Sequence, residues 1–249
     1  MKANYSAVNF TSPGIAIKIL CSSVFAILAV VVGTCFAADS ETLEARWREL
    51  SKQYVLADTK LLQMEEKKRK GIPEQLDLRD ELRAELAQAP QPSIEEIKSL
   101  LNSAELLDRK TALVTAFVKQ ITSPDIIATI LTRYEGERDF FIRFYSHHVL
   151  MNLSDDQVKS VQADILRISR SEQYETNLIT SLPTILRLGS DAVIPLLTEY
   201  FIKGSPGLKR ATYATLRASH PSYLKDIRSI LKRDKAKSAL AFIEKLDTL

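Results

Sequence analysis

The fold class is indicated most clearly by the stretch Ser123-Pro-Asp-Ile-Ile-Ala-Thr-Ile-Leu-Thr-Arg-Tyr134. After a short polar break comes a second stretch of the same kind, Phe140-Phe-Ile-Arg-Phe-Tyr-Ser-His-His-Val-Leu-Met-Asn-Leu153. In both stretches apolar residues recur with the period of an α-helix that buries one face. Ser123 and Pro124 are typical of an N-cap and a first helical turn. Two such short helices cannot bury all their apolar surface by pairing, so we expect the pair to pack between neighbouring pairs.

Comparable helix starts recur along the chain. They lie near residues 93, 124, 154, 190 and 221, which gives intervals of 31, 30, 36 and 31 residues. The first start is a capping box, in which Ser93 accepts a backbone N–H bond and Glu96 reaches back. Each interval holds two apolar-periodic stretches, and a regular period of two helices is typical of an α-solenoid. The chain has only 7 Gly and no Asn-Gly or Asp-Gly turn, so a β-rich fold has little support.

One interval resembles a known family. Asp191-Ala-Val-Ile-Pro-Leu-Leu197, followed by Leu208-Lys-Arg-Ala-Thr-Tyr-Ala-Thr-Leu216, is similar to a HEAT repeat over residues 189–219. Pro195 falls in the first helix, as is common in that family, whereas Gly204-Ser-Pro206 replaces the usual Asp between the helices. The resemblance implies an all-α, right-handed α-solenoid of about five helix pairs. It implies a scaffold and no particular chemistry.

An apolar segment near the N-terminus predicts export. No residue from Ile19 to Ala38 is charged, Lys2 and Lys18 precede the segment, and Asp39 follows it. Basic residues before an apolar core keep the front of such a segment on the cytoplasmic side. Three fates fit: a signal peptide cut after residue 37, an uncut signal anchor, or a lipid-attachment site. All three place the rest of the chain outside the cytoplasm, and we expect a periplasmic or extracytoplasmic location.

The two cysteines, Cys21 and Cys35, both lie inside this segment. A product cut after residue 37 therefore contains no thiol, which excludes thiol catalysis and thiolate metal sites for that form. The remaining 212 residues (249 minus 37) are enough to bury a core without disulfides.

Residues 41–70 predict one long helix, and residues 74–88 a second after the break Gly71-Ile-Pro73. Apolar residues of the first helix form a heptad seam of Leu43, Trp47, Leu50, Tyr54, Ala57, Leu61 and Met64. An antiparallel helical hairpin or a coiled coil between two copies through residues 43–64 would each bury this seam. We therefore predict a signal or anchor over 1–37, a hairpin or coiled coil over 38–89, and a helical-repeat domain over 90–249.

The sequence holds no motif for catalysis or cofactor binding. It has no Gly-rich phosphate loop, no Gly-x-Ser-x-Gly and no His-Glu-x-x-His. His147 and His148 are adjacent on a predicted helix, so their side chains diverge by about 100° and do not chelate one metal. We expect one of them to face the core and the other a groove. The sequence thus predicts no catalytic, cofactor-binding or metal site.

Five aromatic residues within twelve positions mark a candidate partner-binding helix: Tyr134, Phe140, Phe141, Phe144 and Tyr145. Arginines lie among them, and aromatic residues with Arg are typical of protein–protein hot spots. The alternative is that the rings fill the core. The candidate partner-binding residues are Arg138, Arg143, Tyr145 and His147, and we expect Arg143 and Tyr145 to be exposed.

A second candidate surface is basic. Residues 203–249 hold 11 basic and 4 acidic residues, a net of +7. Within them lies a stripe of cations at spacings of 3, 4 and 3: Lys225, Arg228, Lys232 and Lys235. Such a stripe suits an anionic membrane, an anionic cell-wall polymer or an acidic protein, and it also suits an ordinary solvated helix face.

Taken together, these features predict a non-catalytic, exported or membrane-anchored scaffold that binds another protein of the cell envelope. Nucleic acid is disfavoured as a partner by the export signal and the small net charge. The competing hypothesis is a structural, membrane-linked coiled-coil protein whose basic C-terminal face lies on an anionic surface.

Overall fold

Thirteen α-helices and no strand make up the computed structural model over the residues that it describes, 40–66 and 71–248. The helices are α1 Ser40–Glu66, α2 Ile72–Gln88, α3 Ile94–Leu101, α4 Leu106–Val118, α5 Pro124–Tyr134, α6 Phe140–Met151, α7 Asp155–Ser160, α8 Gln162–Ser171, α9 Glu175–Leu186, α10 Ser190–Lys203, α11 Pro206–Ser219, α12 Pro221–Arg233 and α13 Lys237–Asp247. The predicted all-α class is confirmed. Residues 46–249 form one compact unit, and residues 1–45 form another, of which only residues 40–45 are described.

The predicted helix starts are confirmed at atomic detail where a side chain caps the helix. Ser93 and Glu96 form the reciprocal capping box at the start of α3. Ser123 accepts a bond from the backbone N–H of Ile126, and Ser154 forms a second box with Gln157. These side chains accept N–H groups that the first helical turn leaves unpaired, so they fix where each helix begins.

One helix start and one interval differ from the prediction. Helix α10 begins at Ser190, but its N-cap is Gly189 at φ 89°, a left-handed conformation that a residue with a Cβ adopts only with strain. The 36-residue interval is longer than the others because it holds three helices, α7 to α9, in place of two.

Most helices from α2 to α13 contact one another in two parallel rows. Helices α2, α4, α6, α9, α11 and α13 contact one another in that order, and α3, α5, α8, α10 and α12 do the same. Consecutive helices connect the two rows, as in the contacts of α3 with α4, α5 with α6, and α10 with α11. The core lies between the rows and holds fully buried residues such as Ile97, Leu113, Ile168 and Leu196.

The heptad seam of α1 is buried within the unit from Trp47 to Leu61. Trp47, Leu50, Tyr54, Ala57 and Leu61 are all at most 7% exposed. Ser51 Oγ lies 2.6 Å from Thr115 Oγ1 on α4, which shows where the seam docks. In this structure the seam's partner is the chain itself, so self-association through residues 43–64 stays a prediction that would require another face of α1.

Within the described residues, no helix combines the length and apolarity needed to cross a bilayer. The segment from Ile19 to Ala38, on which the export prediction rests, lies outside those residues.

The docking of α1 is tested by truncating one seam residue. We expect Trp47→Ala to lower the free energy of unfolding by about 3–5 kcal/mol, because the side chain is 1% exposed and its removal leaves a cavity. Leu56→Ala on the same helix is the matched control. Its side chain is 59% exposed, and its loss is expected to cost within about 0.5 kcal/mol. Equal effects of the two changes in urea denaturation would contradict the docking of α1.

Candidate ligand-binding pocket

Helix α6 joins two polar sites because its two sides face different surroundings. The helix begins after Asp139, whose side chain accepts the backbone N–H of Ile142 at 3.1 Å. Its rings pack in pairs four residues apart: Phe140 and Phe144 lie 5.7 Å apart between ring centres, and Phe141 and Tyr145 lie 6.4 Å apart. One side of α6 meets a buried carboxylate, and the other lines an open pocket.

The buried carboxylate belongs to Glu172, in the loop between α8 and α9, and no part of its side chain is exposed. Its Oε1 accepts the backbone N–H groups of Gln173 and Tyr174 at 2.7 and 2.8 Å. Arg143 Nη1 lies 3.3 Å from the same oxygen. On the other oxygen, Asn177 Nδ2 donates at 3.3 Å. A buried charge requires such partners, since water does not reach it.

The hydroxyl of Tyr134 also donates to Glu172 Oε2, and this bond fixes the state of His147. A tyrosine hydroxyl has one proton, so it cannot donate to His147 as well. His147 Nε2 lies 2.7 Å from the hydroxyl oxygen and 3.5 Å from Glu172 Oε2. We therefore assign the proton to Nε2, which donates toward both oxygens.

These bonds determine the pKa of Glu172. Burial alone would raise it, but bonds from His147, Tyr134 and the backbone of Tyr174, with the charge of Arg143, lower the pKa to about 2. Burial and hydrogen bonding to Glu172 raise the pKa of Tyr134. The network is therefore a charged carboxylate with neutral and cationic donors around it.

The structure corrects one prediction about the candidate partner-binding residues. Arg143 is 5% exposed and Tyr145 is 2% exposed, so the prediction that they are exposed is wrong. Each is buried beside a carboxylate that accepts a bond from it: Glu172 accepts from Arg143 Nη1, and Asp58 accepts from the Tyr145 hydroxyl. His147 is also buried, at 2%. Only Arg138 is exposed, in the loop before α6.

The aromatic pocket lies on the other side of α6 and is defined by residues of α1, α2, α4, α6 and α9. Its volume is about 270 Å³, close to the lower end of small-ligand sites at about 300 Å³. It is lined by Tyr54, Asp58, Leu61, Leu62, Arg79, Arg83, Phe117, Phe140, Phe144, Tyr145, His148 and Thr176. Five of these twelve residues are Phe or Tyr, and three carry charged side chains.

Asp58 is the only acid of the pocket and is almost fully buried. The Tyr145 hydroxyl donates to Asp58 Oδ2 at 2.6 Å. Arg79 Nη1 lies 3.6 Å from Oδ1, and Arg79 also bonds Asp80 through Nε and Nη2 at 3.3 and 3.1 Å. Burial, with the charge of Asp58, raises the pKa of both Tyr54 and Tyr145, so both hydroxyls stay protonated.

His148 is neutral near pH 7. Burial lowers its pKa, and the neighbouring His147 lowers it further, although its bond to the Phe144 carbonyl acts the other way. Nδ1 lies 3.0 Å from that carbonyl and donates to it, which leaves Nε2 as a hydrogen-bond acceptor. The ring packs against Phe144 and Phe117, at 4.2 and 5.0 Å between ring centres. The prediction that one of the adjacent histidines faces the core and the other a groove is confirmed.

Two other cavities differ from the aromatic pocket in chemistry. One, of about 230 Å³ between α5, α7 and α8, has an apolar floor, and its Arg167 already pairs with Asp164 and Glu135. The other, of about 420 Å³, is lined in part by Arg187, which bonds Asp155 at 2.7 Å. Their arginines are already neutralised by carboxylates of the same chain.

The basic stripe lies on α12 and the turn after it. Lys225, Lys232 and Lys235 are exposed, and the opposite face buries Leu224, Ile227 and Leu231 as an amphipathic helix does. Arg228 instead bonds both oxygens of Asp247 at 2.6 Å. The stripe therefore presents three exposed lysines that form no ion pair with the described side chains, and its binding to anionic surfaces stays a prediction.

The chain matches no protein-family model, no curated protein and no solved structure. In the described part of the chain, no three His, Cys, Asp or Glu side chains converge to hold a metal ion.

Sequence reasoning missed four charged residues of these sites: Asp58, Arg79, Arg83 and Glu172. Asp58 follows the seam residue Ala57, and a charged residue beside an apolar seam is expected on the solvent-exposed face of the helix. Glu172 lies in a short loop, where a carboxylate is ordinarily exposed. No local signal distinguishes either from its neighbours, because their partners come from distant segments.

The charge of Glu172 predicts a specific acid sensitivity. A carboxyl whose folded pKa lies below its usual 4.5 contributes stability above pH 4.5, and this is lost as the pH falls toward about 2. The loss is about 3 kcal/mol across that window. Glu172→Gln is expected to unfold more easily at pH 7 and to lose less stability between pH 5 and pH 3, as urea denaturation at each pH would show. Glu105→Gln, an exposed acid, is the control. Parallel pH profiles for the native chain and Glu172→Gln would refute the charged network.

Proposed function

We propose that this chain is a non-catalytic helical scaffold, exported or membrane-anchored, that binds a partner protein of the cell envelope through the aromatic pocket. The observation that carries the proposal is the pocket itself. Half-buried rings of Phe117, Phe140 and Phe144 surround it together with two arginines. Rings and arginines at a partly desolvated site have the composition of protein–protein hot spots.

The order of helix contacts supports an α-solenoid of about five helix pairs as the scaffold, and the resemblance of residues 189–219 to a HEAT repeat supports its right-handed sense. Each helix of one row contacts the next helix of the same row, and pairs succeed one another along the chain. Repeat proteins of this kind bind partners along surfaces formed by successive helices. The pocket is lined by α1 and by α2, α4, α6 and α9, which are successive helices of one row. Several neighbouring helices therefore contribute to one site.

A binding role is favoured over catalysis by where the acid–base groups lie. Tyr134, His147 and Glu172 form a hydrogen-bonded set that would suit proton transfer in an open site. Their side chains are, however, sealed in the core, where Tyr134 is 1% and His147 is 2% exposed. The open pocket instead holds a neutral His148 and an Asp58 that is bonded by Tyr145. This set lacks a free nucleophile with an adjacent base.

The location in the envelope rests on the sequence. The uncharged segment from Ile19 to Ala38, with Lys2 and Lys18 before it, supports export or anchoring.

Site-specific cross-linking tests the binding role. We replace Phe140 with the photoreactive p-benzoylphenylalanine in cells that produce the chain naturally, and irradiate them. Because Phe140 lines the pocket, we expect one envelope protein to be attached at this position. The product is identified by mass spectrometry of the cross-linked peptide, and purified unlabelled chain is expected to compete with it.

The matched control carries the same group at Phe242, a half-buried ring on α13 away from the pocket. A competitor with Phe144→Ala is expected to lose its effect, because it lacks one wall of the pocket. Identical products at both positions, or no product at position 140, would refute the proposed function.

A further inference from the structure

We infer that the aromatic pocket recognises an aromatic peptide residue that carries or adjoins a carboxylate, and that Arg83 binds this carboxylate. The inference rests on the proposed function and specifies the chemistry of the partner's binding segment. It follows from which charges of the pocket are already neutralised and which are not.

The two arginines of the pocket differ in their partners. Arg79 is bonded to Asp80 and lies 3.6 Å from Asp58. Arg83 is exposed and forms no ion pair or hydrogen bond with the side chains that the structure describes, those of residues 45–64 and 71–248; its guanidinium carbon lies 5.1 Å from the ring centre of Phe117. An arginine above a ring keeps its N–H groups free to bind a planar anion. Arg83 is therefore the free cation of the pocket.

The net charge of the pocket lining is positive, like the charge of Arg83. Arg79 and Arg83 contribute two positive charges, Asp58 contributes one negative charge, and His148 is neutral near pH 7. The lining therefore carries a net charge of +1, which favours one negative group on the ligand.

A cationic ligand is disfavoured although aromatic cages often bind cations. The face of Phe117 is already covered by Arg83. The oxygens of Asp58 are also engaged, one by the Tyr145 hydroxyl and the other by its proximity to Arg79. A second cation in the pocket would meet two arginines and no free carboxylate.

The apolar walls of the pocket favour an aromatic side chain as the uncharged part of the ligand. Phe117, Phe140 and Phe144 present rings, and Leu61 and Leu62 add aliphatic surface. Rings in this lining meet in both common geometries: Tyr54 and Tyr145 meet edge to face at an angle of 66°, and Phe140 and Phe144 are stacked at 21°. An inserted aromatic side chain would add contacts of the same kind. The cavity of about 270 Å³ suits one large side chain with part of its backbone.

Four capped peptides test the inference on the purified full-length chain in detergent micelles, with empty micelles as the blank. They are N-acetyl-phenylalanyl-glutamate amide, its glutamine and lysine analogues, and N-acetyl-phenylalanine with a free carboxylate. Their dissociation constants are measured by saturation-transfer NMR. We expect the glutamate peptide to bind about threefold more tightly than the glutamine peptide, the size of an ion pair at a solvent-exposed rim.

The variant Arg83→Gln is expected to remove this threefold difference and to leave the glutamine peptide unaffected. Arg210→Gln makes the same charge change on α11, which contributes no residue to the pocket, and is expected to preserve the difference. If N-acetyl-phenylalanine binds more tightly than the glutamate peptide, the carboxylate is a C-terminal one; the opposite order assigns it to an acidic side chain. Both orders support the inference.

Equal binding of the glutamate and glutamine peptides, tighter binding of the lysine peptide, or no binding of any peptide would overturn the inference. None of these results affects cross-linking at position 140, which tests the proposed function separately. A chain that cross-links its partner but ignores the peptide charge would keep the function and lose the anionic ligand.

Discussion

The burial of the Glu172 carboxylate constrains much of the structure. A charge without access to water must be matched by donors, and here they come from α5, α6, α9 and the backbone of its own loop. Arg143 and His147 lie four residues apart on α6, so both reach the carboxylate from one side of the helix. That pairing fixes the rotation of α6. Once its rotation is fixed, Phe140, Phe144 and His148 face the pocket.

The pocket depends equally on the docking of α1 and α2, which come early in the chain. The bond between Tyr145 and Asp58 joins residues 87 positions apart. Gln75 on α2 donates to the backbone carbonyl of Ala57 on α1 at 3.2 Å, which links these two helices. The heptad seam therefore does more than bury apolar surface: by docking on the later helices, α1 places Tyr54 and Asp58 opposite the rings of α6.

The helices and their order were predictable from sequence, whereas the site was not. Local signals sufficed for helix boundaries, as at Ser93 and Ser154, because a cap and its N–H partner lie within three residues. The aromatic cluster of α6 was also visible, but not which of its members are exposed. An arginine in a run of aromatic residues is usually interpreted as a surface residue. Arg143 is buried instead, because its guanidinium bonds the carboxylate of Glu172, 29 positions away. A helical period shows that faces differ, but it does not show which distant carboxylate meets each face.

We conclude that Glu172 is ionised inside the core and thereby orients α6. The most direct test is ¹³C NMR of the Glu172 side-chain carboxyl carbon across a pH titration. We expect the chemical shift of this carbon to stay at its ionised value from pH 7 to below pH 4 and to titrate near pH 2. A titration midpoint near the ordinary value of 4.5 would show a solvated carboxyl and would refute the ionised, buried Glu172.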